Sequence, residues 1–170
     1  VHIDFVSVVL HELVHGLGFL DLVDLATGNK LLGLDDAYMR HLEQHGATPA
    51  DYPSMTNPQR VTASTSDPNL HWTGPAVTAA SGSLSAGVSG GHVQMYGPNP
   101  QEPGSSVAHF STALFPNELM EPNYTVPILS IGLAAQLLND IGWSAAAPPP
   151  PPPPGNMPLP TGPTQFSCQD

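Results

Sequence analysis

His11, Glu12 and His15, in the run HELVHGLGF from His11 to Phe19, have the residue types and spacing that metal-assisted hydrolysis requires. On a helix, positions four apart stand one turn above each other on the same face, so the two imidazoles can address one ion. Glu12 adjoins His11 and can reach a water at that ion without taking a ligand position, as a general base must. The chemistry implied is hydrolysis at a zinc ion with one position left open.

The spacing works only if the segment is helical. Asp4 predicts the N-cap, and Gly16 with Gly18 predicts an end just past His15. Val6, Val8, Val9, Leu10, Leu13, Val14 and Leu17 make the stretch apolar on nearly all sides, which predicts a helix buried within a domain. Polar side chains there each cost several kcal/mol unless compensated, and a zinc ion is the compensation this pattern supplies.

A third ligand is needed, and the residues offer three. Asp21 stands where HExxHxxGxxD would place it, because Gly18 lets the chain turn back toward the metal. Glu43 fits a pattern in which a glutamate on a later helix completes the set. His109 lies in SSVAHFSTALFPNELMEP, from Ser105 to Pro122. Zinc's preference for imidazole favours His109 without excluding the two carboxylates.

HELVHGLGF, a long insertion, a histidine followed by an aromatic residue and a downstream ELMEP together resemble the leishmanolysin-type branch of the metzincin metallopeptidases. That resemblance implies an α+β zincin-like catalytic domain with zinc as cofactor. It implies His11, His15 and His109 as metal ligands, Glu12 as catalytic base and Met120 as the methionine of the turn beneath the metal. VPILSIGLAAQLLNDIGW, Val126 to Trp143, is similar to the family's final helix. The match is carried by the two ends of the region up to Trp143 and not by Leu22 to Gly104. The chain departs from the short metzincin form HExxHxxGxxH in having Asp21 at its last place. The activity implied is a metalloendopeptidase acting on protein or peptide; the rival readings are a zinc amidase and a noncatalytic zinc-binding adhesion or structural module of a larger secreted protein. Glu12 argues against the last, since a structural site needs no carboxylate beside its metal.

On packing grounds alone Met120 is a gap-filler. Tyr124, just after it, is a candidate to hydrogen-bond an oxyanion. His2, His41, His45, His71 and His92 show no ligand spacing; His41 and His45 are four apart, but Leu42 stands in place of the glutamate, and no metal is assigned to them.

Between the halves of the motif the sequence predicts short mixed elements. Asp35 to Gln44 reads as a short amphipathic helix or a strand edge, Asn57 to Ser64 as a brief helix with Pro58 first, and His92 to Tyr96 as a strand. Ala79 to Gly91 has too little apolar bulk to pack and is expected to be a flexible surface loop. Ser130 is expected to cap a last helix running to about Asp140 and stopping at Gly142.

One catalytic domain is expected over 1–143, with 22–104 as its inserted segment, and a proline-rich linker over 144–170 containing seven consecutive prolines, Pro148 to Pro154. The zincin substrate-binding sheet is expected to precede Val1 and to be missing from this chain, and the tail points to further domains of a parent chain. The lone Cys168 in that tail has no partner in the sequence. A net charge of −11, with only Lys30, Arg40 and Arg60 as fixed cations, makes nucleic acid and anionic membrane poor partners. No apolar run is long enough to insert into a bilayer. Low lysine content, the proline spacer and the resemblance together suggest a secreted or periplasmic bacterial enzyme.

Overall fold

The computed structural model describes residues 3–143, so the proline-rich tail and Cys168 lie outside the described residues. Helix α1 spans Phe5–Gly16 and starts where Asp4 accepts the Ser7 N–H at 2.8 Å. The chain turns away through Gly18, whose φ of 109° is open to glycine and strained for other residues.

Helix α1 is not enclosed as its composition suggests. It meets the body through one stripe, Ser7, Leu10, His11, Val14 and His15, and only Ser7 and Val14 are buried. Phe5 is 77% exposed and Leu13 58%. Apolarity all round a helix specifies burial only where neighbours exist on every side, and the described residues supply them on one.

The rest is mixed helix and strand: β1 Leu42–Gln44, α2 Asn57–Ala63, β2 Leu70–Trp72, α3 Pro75–Ala80, β3 Val88–Ser89, β4 His92–Gln94 and α4 Leu133–Asp140. The strands form one antiparallel sheet in the order β1-β2-β4-β3. Leu42, Trp72 and Val93 are register partners on the core face. Glu43, His71 and Gln94 are partners on the other, as the period of two requires. The inserted segment is thus the sheet-bearing part of the fold.

Asp35 to Gln44 resolves as a single 3-10 turn at Met39–His41 leading into β1, so its strand reading holds only from Leu42, while Tyr38 and Met39 belong to the turn. The Asn57 helix and the His92 strand form as read. Ala79 to Gly91 does not form one flexible loop: it holds the end of α3, a 3-10 turn at Ser81–Ser83 and β3. Its few large side chains suffice because neighbours supply the packing, with Val77 just upstream fully buried. Nor does Ser130 cap the last helix. Gly132 is the N-cap, and the Glu118 carboxylate, 15 residues away, accepts the Leu133 N–H at 2.9 Å.

A carboxylate distant in sequence also starts α3. Asp140 on α4 accepts from the Trp72 indole N–H at 3.0 Å and from the Ala76 N–H at 2.7 Å. It sits so close to Gly74 that a Cβ there would lie 2.1 Å from its oxygen, which is why glycine precedes Pro75. The core under the sheet gathers Phe19, Tyr38, Met39, Tyr52, Trp72, Phe110 and Met120, all nearly or fully inaccessible.

Candidate metal centre

His11 and His15 project from the inward stripe of α1, one turn apart. The third imidazole comes from residues 107–111, which run antiparallel beside the extension of β4. Val107 N–H donates to Tyr96 O at 2.7 Å, Tyr96 N–H to His109 O at 2.9 Å and Ser111 N–H to Gln94 O at 3.0 Å. Val107 has φ 68°, a conformation costing a β-branched residue about 1–3 kcal/mol. It is held there from both sides, since its carbonyl also accepts the Tyr38 hydroxyl at 2.8 Å.

The three Nε2 atoms form a nearly equilateral triangle. His11 and His109 are 3.1 Å apart, His15 and His11 3.1 Å, and His15 and His109 3.2 Å. Each Nδ1 faces a main-chain carbonyl at 2.8 Å: Leu119 O for His11, Phe19 O for His15 and Ser105 O for His109. A carbonyl only accepts, so each Nδ1 carries the proton and each Nε2 presents a lone pair. Three lone pairs converge with no hydrogen between them. That arrangement repels itself unless a cation stands among them, and its edges are close to the roughly 3.3 Å separating nitrogens about 2.0–2.1 Å from a tetrahedral zinc. The donor set therefore fits zinc. Burial, aided by the neighbouring His15 and His11, pushes the His109 imidazole down to about 4, so it is neutral and ready to bind a metal at physiological pH.

The other two candidates for third ligand lie elsewhere. Asp21 points its carboxyl into the interior, where one oxygen accepts the Val23 N–H at 3.3 Å and the other has no partner. Burial, and then the nearby Asp36, raises it to about 7, with the Tyr52 hydroxyl beside it. Glu43 is on β1 and groups with His45 and His92.

Glu12 is exposed and lines a cavity of about 170 Å³ with His11, Leu119, Tyr124, Val126 and Ile128. Tyr124 is tied to the start of α1, its hydroxyl accepting the Asp4 N–H at 3.1 Å. The ELMEP segment reaches the centre through its main chain: Leu119 O holds His11, while the adjacent Met120 is fully buried and its carbonyl accepts the Phe110 N–H at 2.8 Å. No sequence pattern announces the three carbonyls that orient the histidines, because any residue supplies one.

Comparison with family models, with curated proteins and with solved structures found no match to this chain.

Proposed function

We propose that this chain is the metal-binding catalytic part of a zinc-dependent endopeptidase with a zincin-like fold, of the metzincin kind that its motifs resemble. The observation that carries the reading is the triangle of Nε2 lone pairs, each imidazole fixed through Nδ1, with Glu12 following the first ligand in the chain.

His11, His15 and His109 would hold the ion. When bound, zinc supplies Lewis acidity, making water nucleophilic near neutral pH and polarising a carbonyl. Leu119 O, Phe19 O and Ser105 O keep the three rings oriented by accepting their Nδ1 protons. Glu12 takes a proton from the attacking water and delivers it to the leaving amine. Tyr124 accepts from Asp4 and so keeps its own hydroxyl proton to donate, and it lines the cavity on the Glu12 side, where a developing oxyanion can meet it. Val8, Leu119, Val126 and Ile128 offer a substrate side chain an apolar wall. On the same reading the enzyme works outside the cytoplasm, secreted or periplasmic, which the low lysine content and the proline-rich tail support.

The test is mass-spectrometric detection of cleavage of an unfolded protein by the zinc-loaded chain, beside Glu12→Gln and a chelator control. Cleavage abolished in both controls is expected. Cleavage that persists in Glu12→Gln removes Glu12 from the mechanism, and bound zinc without any cleavage favours a binding module.

A further inference from the structure

The outward face of the sheet carries a second convergence of ligand-type side chains, independent of the hydrolytic reading. Glu43 on β1 and His71 on β2 are register partners on that face. His45 lies two residues beyond Glu43, and His92 two before Gln94, so both turn to the same side. Glu43 Oε1 meets His45 Nε2 at 2.6 Å and approaches His92 Nδ1 more closely still, while the two nitrogens are 3.4 Å apart.

Oε1 can accept from both rings only if both facing nitrogens carry hydrogen, and with either one deprotonated a ring lone pair faces the carboxylate. A cation among the three atoms satisfies all of them at once, each offering a lone pair. The side chains are about a quarter exposed (29%, 21% and 30% for His45, Glu43 and His92), so an ion can enter from solvent. His45 is also supported from behind, its ring stacked on His71 with centroids 3.8 Å apart and planes 15° from parallel. His71 is itself fixed by donating Nδ1–H to Asn69 O at 2.9 Å.

We propose that Glu43, His45 and His92 form a second zinc site that joins β1 to β4 across β2. Two imidazoles and one carboxylate suit a borderline divalent ion such as zinc better than calcium or magnesium, which take all-oxygen sets. The ion would close a loop between positions 49 apart in the chain. It would thereby steady β4, whose extension at Tyr96 hydrogen-bonds the His109 main chain.

The experiment is equilibrium dialysis of the full chain against zinc, with metal analysis of wild type, Glu43→Gln, His45→Ala/His92→Ala and His11→Ala. Wild type should hold two equivalents and the cluster variants one, with Glu43→Gln weakening the second equivalent at least about tenfold, the smallest loss expected when even an outer partner of a metal is removed. Glu43→Gln is nearly isosteric and partly exposed, so it reports on the site even where the double variant unfolds. In the His11→Ala background, zinc should still raise Tm, and Glu43→Gln should abolish that rise. Equal stoichiometry and affinity in wild type and Glu43→Gln overturn the proposal and leave two imidazoles hydrogen-bonded to a carboxylate. A His11→Ala chain that loses no zinc would instead sink the hydrolytic reading, so the two failures are distinguishable.

Discussion

The imidazoles of His11, His15 and His109 are each anchored to the main chain through Nδ1, whereas those of His45 and His92 meet only Glu43 and each other at hydrogen-bond range among the described residues. In the first region the tautomers are set by carbonyls that cannot change role, so three lone pairs point inward before any ion arrives. In the second, the proton positions depend on one partly exposed carboxylate. The first cluster has its ring orientations fixed in advance, and the second is adaptable and close to solvent. Metal affinity follows from what holds the ligands as much as from the ligands themselves.

The largest effect expected from this contrast is on turnover. Glu12→Gln should lower kcat by about 10²–10⁴-fold, the usual contribution of a general base, with zinc content unchanged; a matching loss of zinc would make Glu12 a ligand instead. Next comes the metal. His109→Ala should lose zinc from the α1 centre, while Asp21→Asn should keep it, measured by dialysis. Loss in Asp21→Asn and retention in His109→Ala would reverse the assignment of the third ligand. In a chelator titration of wild type, the sheet-face zinc should leave first, because its ligands lack main-chain anchors; a reversed order would break the comparison.

The smallest effect expected is on stability and its pH dependence. Burial raises the Asp21 carboxyl to about 7 against about 3.9 in an unfolded chain, so folding favours its protonated form. Its contribution is complete below about pH 4 and is lost as pH rises through 7, an effect of at most about 4 kcal/mol. Asp21→Asn should therefore raise Tm at pH 8 and leave it nearly unchanged at pH 4, read by thermal melts. A pH-independent difference would place the Asp21 carboxyl in water.

Much of α1 was legible because its determinants are local. The His11/His15 pairing needs only a 3.6-residue period, the Asp4 cap acts three residues on, and Gly18 turns the chain where a positive φ is required. The His92 strand and the Asn57 helix were equally local. What was misread depended on partners far away in sequence. The burial of α1 depends on what covers its other faces, the order in Ala79 to Gly91 on neighbouring bulk, and the start of α4 on Glu118. The grouping of Glu43, His45 and His92 had one signal, alternation of apolar and polar residues in Leu70-His71-Trp72 and His92-Val93-Gln94, but alternation gives a face without saying which strands share it.

The sequence by itself determined that two imidazoles and a carboxylate share one helix, since helical geometry is fixed by the backbone alone. It also carried the three candidates for a third ligand. Only the tertiary structure shows which of Asp21, Glu43 and His109 meets the two imidazoles, because that depends on closing the chain between His15 and His109, 94 positions apart. The sheet does this by pairing β4's extension with residues 107–111, bringing the His109 ring to the two on α1, while Asp21 is turned inward and Glu43 outward onto another face. Local rules set which groups can act; the packing of distant segments sets which of them meet.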